Sequence, residues 1–196
     1  AMGITGTDVD KEAAHMILTD DNFATIVSAV AEGRGIYANI RKAIHYLLSC
    51  NIGEILTIFL ATVLGFHQMP LAPVQLLWLN LVTDSLPALA LGVEPVEEGA
   101  MEERPRDARE SLFTRGFSLR LVWQGAMVGL LTLAAYFLGE YVLSDPGEAY
   151  QAANTMAFAT LTLCQLFHAF DVRSEERSLF HIGVFSNPAM NKAFLA

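Results

Sequence analysis

Basic side chains are scarce in this sequence. Its 196 residues include 12 Lys and Arg against 21 Asp and Glu, so the formal net charge is −9 at pH 7. A protein that binds nucleic acid needs a basic face to neutralise phosphates. The charge balance therefore excludes nucleic acid as an expected partner. Cysteine is scarce as well, because Cys50 and Cys164 are the only two. Both lie in apolar runs, and we interpret them as packing residues with no disulfide implied.

Charged residues of either sign make up only 17% of the chain, whereas hydrophobic residues make up 53%. An ordinary soluble domain is less apolar, and here the apolar residues gather in long runs. A run of about 20 apolar residues is long enough to cross a bilayer as an α-helix. The sequence therefore predicts an all-α membrane helical bundle in a lipid bilayer. We expect four complete transmembrane helices and the start of a fifth, at about 44–64, 71–93, 117–143 and 152–170, and from 188 onward.

The first 22 residues are soluble in character. Thr7 is suited to cap a short helix that runs to His15. The apolar stretch Met16–Thr19 is typical of a short buried strand. The polar residues Asp20–Asn22 favour a turn that caps the next helix. Together these features predict a small N-terminal piece of an α/β domain.

A long helix follows, because no proline occurs from Phe23 to Leu64. Its first half carries basic residues among apolar ones. Its second half is mostly apolar and has only a few polar side chains. We predict one continuous helix that is part stalk and part membrane span. The resulting division is an N-terminal piece at 1–22, a stalk at 23–43 and a transmembrane domain at 44–196.

Lys and Arg are unevenly distributed among the segments that connect the predicted spans. The two short connections, 65–74 and 140–153, contain no Lys or Arg. The other two connections are rich in arginine, namely Arg104, Arg106, Arg109, Arg115, Arg173 and Arg177. Cytoplasmic loops carry an excess of Lys and Arg. The sequence therefore predicts a multi-pass membrane protein whose N-terminal segment and arginine-rich loops are cytoplasmic.

Two carboxylates interrupt the apolar runs. Glu54 lies in the first span and Asp84 in the second, where an ionisable group costs about 2.5–3.5 kcal/mol on insertion scales and usually has a function. Asn51 precedes Glu54 by three residues, and Asn80 precedes Asp84 by four, with Thr83 adjacent. Spacings of three and four place side chains on one helix face. The resulting set of oxygens is of the kind that Ca²⁺ prefers.

Other interpretations of these residues stay open. A buried Asn or Thr in a membrane helix can simply hold two helices together. The two carboxylates could also belong to structural pairs with basic residues, although neither span contains Lys or Arg. Pro87 follows Asp84 by three residues and removes a backbone hydrogen bond. We therefore expect an unwound stretch at Asp84–Leu86 that adds backbone oxygens beside the carboxylate. Pro73 is suited to the first turn of the same span.

The motifs resemble those of a known family. Asn51–Glu54 and Leu79–Pro87 are similar to the fifth and sixth membrane helices of type II P-type ATPases. The likeness is greatest to calcium pumps of the sarcoplasmic-reticulum kind and their bacterial relatives. Leu18–Phe23 and Glu32–Arg34 resemble the end of that family's phosphorylation domain and its stalk. The stretch Pro70–Pro95 is similar almost throughout. The resemblance covers essentially the whole chain, from the phosphorylation domain to the start of the ninth membrane helix.

The resemblance implies a set of metal ligands. In the resembled pumps the position of Asp84 serves both calcium sites. The positions of Asn51, Glu54 and Thr83 serve the first site, and that of Asn80 serves the second. A glutamate on the fourth membrane helix, upstream of this chain, completes the second site.

The fourth span departs from the reticulum pattern. Gln165 stands where that pump has a first-site glutamate, and a neutral amide is a weaker ligand for a hard cation. Similar pumps with this loss move one ion per cycle. We therefore hypothesise one transported Ca²⁺ bound chiefly by Asn80, Asp84 and the upstream glutamate. Glu54 would be a proton-countertransport group or a relic ligand.

The resemblance also implies an enzyme, a P-type Ca²⁺-transporting ATPase, in the full-length protein. Its ATP, Mg²⁺ and catalytic aspartate would be held by the actuator, nucleotide-binding and phosphorylation domains, outside these residues. The chain itself contains no Asp-Lys-Thr-Gly motif, so we expect no ATP hydrolysis by this part alone. The expected location is a prokaryotic cell membrane. A pump for Mn²⁺ or Na⁺, or a non-enzymatic channel or carrier, stays open as an alternative.

Overall fold

A computed structural model describes residues 1–66, 68–97, 99–102, 111–143, 149–174 and 177–195. The described residues contain helices and no extended strand, which confirms the all-α fold class. In chain order the elements are α1 Asp8–Ala13, α2 Ala24–Val63, α3 Pro73–Trp78, a π-helical turn Leu79–Asp84, α4 Ser85–Gly92, α5 Arg115–Tyr141, α6 Ala149–Asp171, α7 Leu179–Ile182 and α8 Pro188–Leu195. Three arginines of the predicted basic loop, Arg104, Arg106 and Arg109, lie outside the described residues.

The chain forms two compact units. The first comprises residues 1–38 and the described part of 95–107, and the second comprises residues 39–94 and the described part of 108–196. In the first unit, Thr7 caps α1 as predicted. Its hydroxyl oxygen accepts a hydrogen bond from the Asp10 backbone N–H at 3.2 Å, and the Asp10 carboxylate accepts one from the Thr7 backbone N–H at 3.3 Å. The helix ends at Ala13, two residues before the predicted end.

The predicted strand at Met16–Thr19 is wrong. Leu18 forms a single parallel bridge with Met2, and Leu18 is the buried member of the stretch, whereas Met16 and Ile17 are 52% and 46% exposed. A strand needs a ladder of neighbouring hydrogen bonds, and among the described residues only this one bridge is available. The apolar composition therefore does not produce an extended element here.

The turn before α2 forms as predicted. Asp21 has a left-handed backbone with φ of 51°, and its carboxylate accepts hydrogen bonds from the backbone N–H groups of Ile4 at 2.9 Å and Thr5 at 2.7 Å. These bonds, that from Ile4 foremost, lower the pKa of Asp21 to about 2. The side-chain oxygen of Asn22 accepts the backbone N–H of Ala24 at 3.0 Å at the start of α2.

The second unit contains the apolar helices, apart from residues 24–38 of α2, which belong to the first unit. Among the described residues, three helical stretches are long and apolar enough to cross a membrane: α2, residues 73–92 and α5. The fourth predicted span is the 23-residue helix α6. It is long enough at 1.5 Å per residue, but it is less apolar than the other three because it contains Asn154, Gln165 and His168. Where a fifth span is predicted to start, the structure has the short helix α8, which begins at Pro188.

Glycines bring α2 and α5 close together. A Cβ atom built on Gly125 would lie 2.6 Å from Cγ2 of Ile52 and 2.8 Å from the carbonyl oxygen of Ser49. One built on Gly129 would lie 2.9 Å from the carbonyl oxygen of Gly53. These positions have room only for hydrogen. The Gly-x-x-x-Gly spacing of these two positions is typical of helices that pack this closely in a membrane.

The second span is irregular, but not in the predicted way. The unwound stretch expected at Asp84–Leu86 is absent, and instead a π-helical turn precedes a regular α4. Pro87 lacks the N–H that would bond to the Thr83 carbonyl. The hydroxyl of Tyr46 on α2 donates to that carbonyl at 2.9 Å. A tertiary partner thus satisfies the freed carbonyl, and the backbone beside Pro87 is helical.

Candidate cation site

Three elements supply the predicted side chains. The helix α2 carries Asn51 and Glu54, and α6 carries Gln165. The π-helical turn carries the other three, Asn80, Thr83 and Asp84. The π-helical turn coincides with the residues that the sequence singled out as ligands. Such turns are rare and occur frequently at functional sites.

Glu54 is held by amides from two other helical segments. Its Oε2 accepts a hydrogen bond from Nδ2 of Asn80 at 2.8 Å, and its Oε1 accepts one from Nε2 of Gln165 at 2.9 Å. The Glu54 side chain is only 6% exposed. The structure therefore brings three of the predicted residues into direct contact. Both carboxylate oxygens of Glu54 are engaged by neutral donors of the protein itself.

Asp84 has a different environment. It is 1% exposed, and within the described residues neither of its carboxylate oxygens has a nitrogen or oxygen donor at hydrogen-bond distance. The Cys50 thiol, a weak donor, is the side chain that interacts with it. The Oε1 atom of Gln165 is also buried without a hydrogen-bond partner there. A buried polar oxygen without a partner is costly, and a buried charge more so. These three oxygens, two on Asp84 and one on Gln165, are of the type that a hard cation prefers.

Asn51 and Thr83 take positions that the sequence could not specify. The amide nitrogen of Asn51 donates to the Leu47 carbonyl of its own helix at 2.7 Å, so it does not join the bonds around Glu54. Thr83 is 3% exposed, and its carbonyl is the one that Tyr46 satisfies. Sequence reasoning missed Tyr46. The available signal was Pro87, since a proline leaves the carbonyl four residues earlier without its donor.

The composition of the site distinguishes it from a thiolate or imidazole centre. In the part of the chain that the structure describes, no group of three His, Cys, Asp or Glu side chains is placed to hold a metal ion. The site instead combines two carboxylates with amides and a hydroxyl. Carboxylate and carbonyl oxygens are the ligands that suit Mg²⁺, Ca²⁺ and Mn²⁺.

Comparisons with known proteins agree with this chemistry. Residues 68–196 match the family described as "Cation transporting ATPase, C-terminus". Calcium-transporting ATPase 1 of Bacillus cereus is 50% identical over 199 residues, covering 95% of this chain and 22% of the relative. The calcium-transporting ATPase of Bacillus subtilis is 50% identical over 187 residues, covering 95% and 20%. An endoplasmic-reticulum-type relative of Arabidopsis thaliana, calcium-transporting ATPase 3, is 48% identical over 163 residues, covering 83% and 16%.

The chain thus spans about a fifth of the length of the curated relatives it matches. The resemblance seen in the motifs of the second span is confirmed, because the family match includes that span and continues through α8. The apolar helices and the relatives together make the chain an integral membrane protein. Since the match covers well over half of its residues, the chain belongs to the cation-transporting ATPase family.

Proposed function

We propose that this chain is the membrane ion-binding part of an ATP-driven pump that exports Ca²⁺ from the cytoplasm. The observation that carries the proposal is Asp84, which is buried on a π-helical turn with two carboxylate oxygens that have no nitrogen or oxygen donor within the described residues. The relatives at 50% identity are named calcium-transporting ATPases. In the full-length protein, ATP and Mg²⁺ act on domains outside these residues. The N-terminal segment and the arginine-rich loops face the cytoplasm of a prokaryotic cell.

The contrast between the two carboxylates supports one Ca²⁺ per cycle. The oxygens of Glu54 are occupied by the amides of Asn80 and Gln165, whereas those of Asp84 are open. A cation therefore finds its anionic partner at Asp84, with the Oδ1 atom of Asn80 and an upstream glutamate completing the shell. Asn51, Thr83 and Gln165 remain secondary ligands at the edge of this site. Glu54 serves as the group that carries a proton in the opposite direction.

The test of the pump is cation-stimulated ATP hydrolysis by the full-length protein in sealed vesicles. Asp84→Asn removes the charge and keeps the shape, and we expect it to abolish the stimulation by micromolar Ca²⁺. The matched control is Asp171→Asn, the same change at a carboxylate that is 70% exposed, which should keep the stimulation. Stimulation by Mn²⁺ or Na⁺ in place of Ca²⁺ would overturn the assignment of Ca²⁺ as the transported ion. If no cation stimulated hydrolysis, the proposal of an ATP-driven pump would be wrong and a channel or carrier would be favoured.

The test of the stoichiometry is radioactive calcium bound per phosphorylated enzyme. We expect one Ca²⁺ in the wild type and one in Glu54→Gln, because the variant loses the titratable group but still has one side-chain oxygen that can accept a hydrogen bond from Asn80 or Gln165. Proton countertransport, followed with a pH-sensitive dye inside the vesicles, should be lost in Glu54→Gln. Two Ca²⁺ per phosphorylated enzyme would disprove the single-ion proposal.

A further inference from the structure

A fully buried arginine lies beyond the end of the fourth span. Arg173 was expected in a polar cytoplasmic loop, yet only 1% of its side chain is exposed. Two other polar residues near it are buried as well, Glu94 at 8% and Asn187 at 2% exposure. These three residues, which we call the buried clamp, come from three separate segments of the second unit. Charged residues are almost never fully buried unless they are paired.

The guanidinium of Arg173 is fully engaged. Its Nε lies 3.1 and 3.2 Å from the two carboxylate oxygens of Glu94, and its Nη2 lies 2.7 Å from Oε1. Nη1 donates to the carbonyls of Gly183 at 3.2 Å and Val184 at 2.8 Å. Nη2 also donates to the Ser186 hydroxyl oxygen at 2.5 Å. The planar fork of an arginine fixes both the distance and the orientation of a carboxylate that it binds in this way.

Asn187 joins the same carboxylate to a third helix. Its Nδ2 donates to Oε2 of Glu94 at 2.6 Å and to the Ala90 carbonyl of α4 at 3.0 Å. Its Oδ1 accepts the backbone N–H groups of Ala189 at 2.9 Å and Met190 at 3.2 Å, so Asn187 also caps the first turn of α8. The clamp therefore ties the end of the second span to the residues after the fourth span and to the start of α8.

A fourth element reaches the same point. Nδ2 of Asn39 on α2 donates to the Glu94 carbonyl at 2.7 Å. Besides α8, the clamp thus joins α2, the end of the second span and the residues after α6, and the candidate cation site is carried by α2, the second span and α6. Glu94 follows Asp84 by ten residues and Arg173 follows Gln165 by eight. At 1.5 Å per residue these offsets correspond to about 15 Å and about 12 Å along the chain.

An ion pair of this kind is a poor source of stability. The free energy lost when two charges leave water is about as large as the free energy gained from their attraction. A protein with well-packed apolar residues in place of the pair is often equally stable. What the pair does provide is a fixed geometry, because the fork and the carboxylate fit in one relative position. The second span contains a π-helical turn that ends at Asp84, and a fixed contact at Glu94 defines the position of the helix that follows it.

We propose that Glu94 and Arg173 are positioning residues for the cation site. The clamp fixes the axial position and rotation of the second span against the fourth, so that Asn80 and Asp84 lie opposite Gln165 and Glu54. The inference rests on the proposed function, because its readout is cation affinity. Loss of the clamp lets the two spans shift and separates the oxygens that must converge on one ion.

The experiment measures the Ca²⁺ concentration that half-saturates phosphorylation of the full-length pump from ATP. The variants are Glu94→Gln, Arg173→Gln, the double variant and Arg173→Lys. The control is Arg115→Gln, which removes an exposed guanidinium at the start of α5. We expect each single Gln variant to raise the half-saturating Ca²⁺ by about tenfold, because it leaves a buried charge without its partner. Phosphorylation at saturating Ca²⁺, per folded protein, should stay within about twofold of the wild type.

The double variant and the lysine variant separate positioning from general destabilisation. Because the two side chains act as one unit, the double variant should be no worse than the poorer single variant. Arg173→Lys keeps the charge without the fork and should restore affinity only partly. If the single variants fail to accumulate, Glu94→Met with Arg173→Met replaces the pair by apolar volume. This variant should fold and still show weakened Ca²⁺ binding.

Two results would contradict the inference in different ways. Wild-type half-saturation in folded Glu94 and Arg173 variants, whatever their yield, would overturn the positioning role alone. Absence of any Ca²⁺ effect on the wild-type pump would overturn the proposed function, and the inference with it.

Discussion

The close approach of α2 and α5 allows a quantitative prediction for Gly125→Ala. The new methyl carbon would lie 2.6 Å from Cγ2 and 2.8 Å from Cβ of Ile52, and 2.8 Å from the Ser49 carbonyl oxygen. Carbon atoms in favourable contact are about 3.5–4.0 Å apart, so the two helices would have to separate by the better part of an ångström. The Ser49 oxygen belongs to the helix backbone, and it cannot rotate away as a side chain could.

The expected cost follows from two opposing terms. Forcing an extra carbon into a packed core costs about 1–3 kcal/mol. Alanine is favoured over glycine inside a helix by about 0.8–1.0 kcal/mol. Gly33→Ala, also inside a helix but with no atom within 4 Å of the added Cβ, carries the second term alone. The difference between the two variants therefore isolates the clash, at about 1–3 kcal/mol in the free energy of unfolding.

The assay is the rate at which a thiol-reactive dye labels the full-length protein on warming in detergent. Cys50 is 1% exposed and packs in a core cluster with Leu91 and Met190, so in a background without the partly exposed Cys164 labelling reports the opening of the helix bundle. A difference of one or two kcal/mol is a factor of about 5–30 in the equilibrium between folded and unfolded protein. Gly125→Ala should therefore be labelled faster than the wild type, and Gly33→Ala no faster. Equal labelling of the two variants would refute the packing argument.

Three further predictions concern other parts of the fold. Tyr46→Phe leaves the carbonyl freed by the proline without a donor, and an unsatisfied buried group costs about 1–3 kcal/mol, measurable as faster thermal unfolding. Leu161→Ala, at a side chain with 0% exposure, should cost about 2–5 kcal/mol, whereas Leu163→Ala, at 51% exposure, should cost far less. Because the pKa of Asp21 falls from 3.8 to about 2 on folding, its contribution to stability is complete above pH 3.8 and is lost as the pH falls toward 2. Hydrogen exchange of the Thr5 amide, corrected for its intrinsic rate, should accelerate only in that interval.

Each of these has a clear contrary result. A phenylalanine variant as stable as the wild type would mean that the freed carbonyl finds another donor. Equal losses for the two leucine variants would contradict the assignment of their faces. Exchange at Thr5 that is insensitive to pH between 4 and 2 would show that the Asp21 carboxylate does not hold this turn.

Much of the local structure was predictable because it depends on residues within a turn of one another. The cap at Thr7, the uninterrupted α2 and the start of α3 at Pro73 follow from short-range chemistry. The apolar runs identified the three helical stretches of the described residues that are long and apolar enough to cross a membrane, since both properties can be read from the sequence. The strand at Met16–Thr19 failed for the complementary reason. A strand exists only if a distant segment pairs with it, and composition does not show whether one does.

In the candidate site, too, some features depend on local sequence and others on contacts between distant segments. By itself the sequence determined which carboxylates lie in long apolar runs and which amides share their helix faces. Only the tertiary structure decided that Glu54 is engaged by Asn80 and Gln165, which lie 26 and 111 residues further along the chain. It also decided that Tyr46 keeps the helix intact beside Pro87 and that Arg173 is buried. Spacing along one helix is fixed by its geometry, whereas contact between helices depends on how several packed surfaces fit at once.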